Sequence, residues 1–359
     1  MNPIRQAVNL GQSIWLDNLS RTLLVEGALA RWIAEDGVSG VTSNPSIFQK
    51  AVSDSPYYAD DLARLKAAES DPERRYEGLA VPDIQAACDL MRPEFDHTAG
   101  NDGYVSLEVA PRWAHDQQAT VAEARRLSAL VSRPNLLVKV PATPAGVAAF
   151  ETLTSEGINV NVTLLFSLGQ VEAIHQAYLR GLRARLARGE DVVRAKAVAS
   201  LFLSRVDTLV DQRLEETGTP EALALRGGSA VAMARLAYAR YRELFHGPEF
   251  ADLRALGARP QYLLWASTGT KNQAYSDLLY VEPLVGPETV NTLPDKTLAA
   301  LKDHGKVRAG VAEGLDGARA HYHRLAEQGI DMEQAGLRLQ DQGVDLFADA
   351  FDKLLGLMT

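Results

Sequence analysis

Lys139 stands alone among apolar neighbours in the run NLLVKVPAT, residues 135–143. If this run is a strand, alternation puts Lys139 on one face and Val138 and Val140 on the other. Free lysine titrates near pH 10.4, so a neutral amine is scarce at neutral pH, about one molecule in a thousand. Burial disfavours the ammonium, and a neutral amine attacks a carbonyl carbon to form a Schiff base. The alternative is a structural ion pair with an acidic residue on a neighbouring strand. Truncating a reactive Lys139 would abolish turnover, remove a desolvation cost and leave the fold intact.

Counting by twos along the other strand-like runs brings further polar residues to the same end. Asp17 falls on the first run, Asn44 on the second and Glu108 on the third. Asn161 and Thr163 follow on the fifth, Ser200 on the sixth, and Ser267 at the end of the seventh. The opposite face stays mostly apolar, through Leu16, Leu107, Val109, Val138, Val140, Val160, Val162, Leu164 and Leu201. Inward Asp, Glu and Lys must be paired or catalytic. Each also has a plainer role available. Asp17 could cap a helix that starts after Asn18, and Asn44 before Pro45 could serve a turn. Glu108 could be only the ion partner of Lys139, and Asn161 with Thr163 a buried hydrogen-bonded pair.

The elements that must position these residues are eight short β-type runs, beginning near residues 13, 40, 103, 135, 158, 197, 261 and 277, the last being DLLYVEP. Helix-patterned segments separate most of them, which favours a (β/α)8 barrel over a doubly wound sheet. In such a barrel the site forms at the C-terminal ends of the strands, where this polar row stands. The chain reads as one barrel domain over residues 1–359, with helical insertions at about 46–101 and 207–260 and a helical C-terminal extension at about 286–359. The end of that extension, VDLFADAFDKLLGLM, is amphipathic and would pack on the barrel or on a second subunit. A monomer or a homodimer fits equally.

Composition narrows the rest. Against 37 basic residues stand 46 acidic ones, a formal net charge of -9, so no basic field advertises nucleic acid. No stretch reaches the ~18 uncharged apolar residues of a membrane span, and no signal-peptide core opens the chain, so a cytoplasmic protein is expected. The lone Cys88 forbids an internal disulfide and reads as a buried helical residue. None of the seven histidines falls on a strand run, and His321 and His323 are spaced to point apart on a helix, so no metal site is expected. Gly227-Gly228-Ser229 lacks the nucleotide-binding spacings and reads as a helix start.

From about Ser13 to Leu293 the chain resembles the transaldolase family, class I aldolases of the pentose phosphate pathway. The resemblance rests on VTSNPSIF, on the Glu108 strand, and most specifically on the block VKVPATPAGVAAFETLTSEGIN through VNVTLLFS. Chain length and the segment WASTGTK resemble the longer bacterial branch. The resemblance implies that Lys139 forms the Schiff base with a donor ketose and that Asp17 takes and returns the proton of the C4 hydroxyl. It implies that Glu108 and Thr163 hold a proton-relaying water, and that Asn44, Asn161 and Ser200 bind hydroxyls of the dihydroxyacetone unit. Arg205 and Ser267 would meet the phosphate. Other branches place an arginine two residues after the position of Ser267, where Gly269 stands here, so Lys271 is the candidate second cation. Phe202 occupies a position where the transferases carry Phe and the aldolase-like branch Tyr, which favours transfer. No cofactor is implied. The expected reaction moves dihydroxyacetone from sedoheptulose 7-phosphate to glyceraldehyde 3-phosphate. A fructose 6-phosphate aldolase and a non-catalytic sugar-phosphate-binding barrel are the competing readings.

Overall fold

The computed structural model describes residues 2–359. Eight parallel strands close into a barrel in chain order: β1 (Gln12–Leu16), β2 (Gly40–Val41), β3 (Tyr104–Glu108), β4 (Leu136–Pro141), β5 (Val160–Leu165), β6 (Ala197–Phe202), β7 (Tyr262–Ala266) and β8 (Thr289–Leu293). Helices cover the outside, so most strand residues are buried on both faces, as parallel strands require. At the foot of the barrel Trp15 lies where any side chain on Gly40 would collide with its ring, and its indole donates to Asp102 at 2.8 Å. Only glycine lets β1 and β2 pair there.

The eighth strand is not the segment expected. DLLYVEP forms turns that run into the 3-10 helix Glu282–Leu284, and the barrel closes instead through TVNTL. Leu278, Tyr280 and Val281 of the first segment are buried without joining the sheet, with Tyr280 donating to Asp207 at 2.9 Å. The polar Thr and Asn of TVNTL hide a strand whose Asn291 bonds outward to the Tyr280 carbonyl at 3.1 Å. Residues 286–359 therefore begin with β8, and their helices start at Asp295.

The segment at 46–101 holds the helices Pro45–Asp54, Ala59–Ala68 and Pro72–His97, and that at 207–260 holds Ser204–Thr217, Pro220–Leu223, Ser229–His246 and Ala251–Ala255. Asn44, Thr143 and Ser167 cap the helices that leave β2, β4 and β5, each accepting a backbone N–H from the first turn. Proline at the first helical position after Asn44 and Thr143 fixes those turns further. The last helix, Met332–Met358, buries Leu339, Val344, Phe347, Phe351 and Leu354 against its own barrel. Cys88 is buried in the helix Pro72–His97, and Ser229 opens a helix.

Candidate active site

Glu108, Lys139 and Asn161 stand in one cross-strand row, paired through β3, β4 and β5. Lys139 is 5 % exposed. Its Nζ donates to the Ser43 carbonyl at 3.1 Å and lies 3.5 Å from Glu108 Oε2. That contact is a long ion pair, and among the described residues Oε2 has no closer hydrogen-bond partner. Thr163, also buried, leaves its hydroxyl equally unpartnered. A cavity of about 160 Å³ opens above Lys139, lined among others by Asp17, Asn44, Thr163, Ser200, Phe202, Arg205 and Ser267.

Asp17 follows directly on β1, its N–H bonded to the Leu293 carbonyl at 2.8 Å. Ser20, not Asp17, caps the next helix. The Asp17 carboxylate accepts from Thr42 Oγ1 at 2.7 Å, and Thr42 in turn meets Thr292 Oγ1 at 2.7 Å. Two hydroxyls thus hold a carboxylate on the wall facing Lys139. Asn44 stands beyond the two-residue strand β2, and its Oδ1 caps the helix Pro45–Asp54 through Ile47 N–H at 3.0 Å. Asn44 thus caps a helix where a turn was the plainer expectation, and it also lines the cavity.

Asn161 pairs with Lys139 in that row and lies behind the cavity lining. Its Oδ1 accepts from Ser200 Oγ at 2.6 Å and its Nδ2 donates to Ser106 Oγ at 3.1 Å, so it supports Ser200, which lines the cavity. Above it the strand breaks step: the pairing of β5 shifts between Val162 and Leu165, and Leu164 adopts φ +61°. Thr163 therefore sits in a bulge, a device that re-aims side chains at barrel rims. The expected alternation of Val160, Val162 and Leu164 ends at this point.

The far end of the cavity is cationic. Ser267, just past β7, takes φ +53°, a costly conformation for a residue with a side chain, and its Oγ meets Ser204 Oγ at 2.8 Å. Arg205, on the first turn of the helix Ser204–Thr217, is half-buried over the Phe202 ring at 5.7 Å. Burial with no opposing charge holds its guanidinium below the usual arginine range. Among the described residues Arg205 has no ion-pair partner, and a cation that lines the cavity together with Ser267 suits an anion. Lys271 does not join them: it is exposed on the neighbouring wall, lining a larger adjoining cavity of about 1000 Å³ that also reaches Asp17.

Burial raises both carboxyl groups above the ordinary carboxylate range. For Asp17, Lys139 and the Thr42 hydrogen bond oppose burial, Asp295 adds to it, and Lys271 opposes it. For Glu108, Lys139 opposes burial and Asp17 adds to it. Two carboxyls in different surroundings flank one amine, an arrangement that can divide successive proton transfers.

A family model described as Transaldolase/Fructose-6-phosphate aldolase matches residues 14–358. A transaldolase of Thiobacillus denitrificans is 64 % identical over 355 residues, covering 99 % of both chains. One from Neisseria gonorrhoeae is 51 % identical, covering 96 % of both. One from Mycolicibacterium smegmatis is 46 % identical, covering 96 % of this chain and 93 % of its own. The chain belongs to the transaldolase/fructose-6-phosphate aldolase family.

For this transaldolase-family barrel, sequence reasoning missed Thr42, Thr292 and Phe347, all on the cavity wall. Thr42 lay in the quoted motif VTSNPSIF without a role, and Thr292 was hidden by the misplaced eighth strand. Phe347 read only as one apolar residue of an amphipathic end. Outside the cavity, the carboxylates of Glu73, Glu77 and Glu123 lie within 4.8 Å of one another, a spacing that would suit a metal ion. Arg112 already pairs with Glu73, and Arg126 with Glu77 and Glu123, so these acids have their cations. His321 is buried against Ser229 Oγ at 3.0 Å, while exposed His323 pairs with Glu327. Among the described residues no helix is long and apolar enough to cross a membrane.

Proposed function

We propose that this chain is a transaldolase that carries a dihydroxyacetone unit on Lys139. The observation that carries the reading is Lys139 itself, buried between a carboxylate at 3.5 Å and a cavity that ends in an unpaired guanidinium. Glu108 is placed to take the proton that the ammonium must lose before Nζ attacks the ketone. The open hydrogen-bonding positions of Glu108 Oε2 and Thr163 Oγ1 suit a relay that removes the carbinolamine oxygen as water. Asp17 then takes the C4 hydroxyl proton, the C3–C4 bond breaks, and its electron pair moves into the imine to give an enamine. The aldehyde product leaves, an acceptor aldehyde takes its place, and the steps run in reverse. Ser200 and Asn44 hold hydroxyls of the bound unit, with Asn161 fixing Ser200. Arg205 and Ser267 hold the sugar phosphate.

Fructose 6-phosphate aldolase activity uses the same chemistry, and the matching family covers both. Phe202 packs its ring on Phe166 at 5.1 Å and brings no hydroxyl to the cavity, which supports transfer. A coupled assay of glyceraldehyde 3-phosphate release from fructose 6-phosphate decides the matter. Release that requires erythrose 4-phosphate is expected; release without it would make the chain an aldolase.

The two cations should separate cleanly. Arg205→Ala is expected to raise KM for phosphorylated donor by about 10- to 100-fold, since a charge-assisted contact is lost in ground and transition state alike. Lys271→Ala is expected to leave KM nearly unchanged and to move the acid limb of kcat/KM to higher pH. The sign follows from Asp17, which works as a base only when ionised. Burial already raises its pKa, Lys271 opposes that rise, and removing the lysine lets it climb. A large KM effect in Lys271→Ala would return the phosphate role to Lys271.

A further inference from the structure

Gln340, Gly343, Phe347, Phe351 and Leu354 recur at helical spacing along one stripe of the helix Met332–Met358. The stripe covers the C-terminal ends of β4 and β5, the strands that carry Lys139 and Thr163. Gln340, itself buried, donates from Nε2 to the carbonyls of Ala142 at 2.9 Å and Leu164 at 3.0 Å. Both carbonyls lie just past the reactive row, the second inside the bulge of β5. At Gly343 a side chain would press on Leu164, with Cβ only 2.9 Å from Cδ2, so the helix sits as close as its backbone allows. One turn further, Phe347 is 5 % exposed and lines the cavity with Lys139, Thr163, Ser200 and Phe202. Its ring centroid is 5.9 Å from Lys139 Nζ. Another turn on, Phe351 packs edge-on to Tyr76 at 5.8 Å and closes the recess behind Glu108.

A phenyl ring beside Nζ can do two things. It attracts a cation, favouring the protonated imine. It also fills space that water would need beside the same nitrogen. Gln340 binds the helix to the strand ends and so sets where that ring stands.

We propose that Phe347 determines the fate of the enamine held on Lys139, shielding it until an aldehyde arrives so that the unit is transferred rather than released. The inference rests on the transaldolase reading above. In the suppressed side reaction the enamine carbon takes a proton to regenerate the imine, water adds to the imine carbon, and the C–N bond breaks. Free dihydroxyacetone and the Lys139 amine result. Phe347 is then a second specificity wall, contributed by the C-terminal helix to the cavity that Phe202 of β6 also lines, and Gln340 is its positioning residue.

The test compares two rates in each preparation: dihydroxyacetone released from fructose 6-phosphate without acceptor, and transfer to erythrose 4-phosphate. Phe347→Ala is expected to raise the ratio of release to transfer by about tenfold, as one desolvated ring–cation contact and its exclusion of water are worth. Phe347→Leu, which retains bulk but not the ring, is expected to raise it less. Gln340→Leu is expected to raise it in the same direction. If Phe347→Ala fails to fold, the leucine variant carries the test. A wild-type protein that transfers, with variants whose two rates fall together, would overturn the inference and leave the transaldolase reading standing. A wild-type protein that does not transfer would overturn both.

Discussion

Lys139→Ala is expected to lose turnover by a factor on the order of 10⁴ or more, and to lose all covalent trapping of donor, because no other group in the cavity can form an imine. The fold should survive at a cost, contrary to the expectation that truncation only removes a desolvation penalty. Lys139 is the cation that opposes the burial of Glu108. Removing it leaves a buried carboxylate with no counter-charge, a change that costs about 3 kcal/mol when the group stays ionised. Glu108 has its pKa raised in the folded state relative to the unfolded chain, and further so in the variant. Its protonated form is therefore favoured by folding, and stability falls as pH rises through the folded-state pKa. The melting temperature of Lys139→Ala should thus drop towards neutral pH more steeply than that of the wild type. The double variant Lys139→Met/Glu108→Gln should recover most of the loss. A single variant as stable as wild type at neutral pH would mean that the pair carries no net coupling.

Asp17→Asn is expected to reduce kcat by about 10²- to 10⁴-fold, the usual worth of a positioned acid–base group, while donor can still be trapped on Lys139. Asparagine keeps an oxygen for the Thr42 hydroxyl, so the wall stays in place while proton transfer at C4 is lost. Imine formation precedes carbon–carbon cleavage and does not use Asp17. An Asp17→Asn protein that cannot be trapped would show that Asp17 acts earlier, and would move the cleavage role to another group.

The barrel was legible because its signals are local. Strands alternate with helices over most of the chain, and that alternation can be read without tertiary information. The polar row was legible for the same reason, since a period of two assigns Glu108, Lys139 and Asn161 to one face without tertiary information. What failed were features set by distant contacts. TVNTL is a strand because β1 and β7 lie on either side of it, and nothing in its own polar composition says so. The Leu164 carbonyl inside the bulge meets Gln340, 176 residues later in the chain, a contact that local sequence does not announce. Lys271, which the resemblance offered as a second cation for the phosphate, lines the adjoining cavity, past a loop whose course depends on distant contacts. Tyr275 and Tyr280 pin that loop by donating to Asp211 at 2.7 Å and to Asp207 at 2.9 Å.

The most direct test of Lys139 as the covalent carrier is borohydride reduction in the presence of fructose 6-phosphate, followed by mass spectrometry of the digested protein. The expected result is a reduced three-carbon adduct on the peptide that contains Lys139, lost in Lys139→Ala and replaced in Asp17→Asn by an adduct of the uncleaved six-carbon donor. An adduct on another lysine, or turnover with no adduct on any, would contradict a Schiff-base mechanism centred on Lys139.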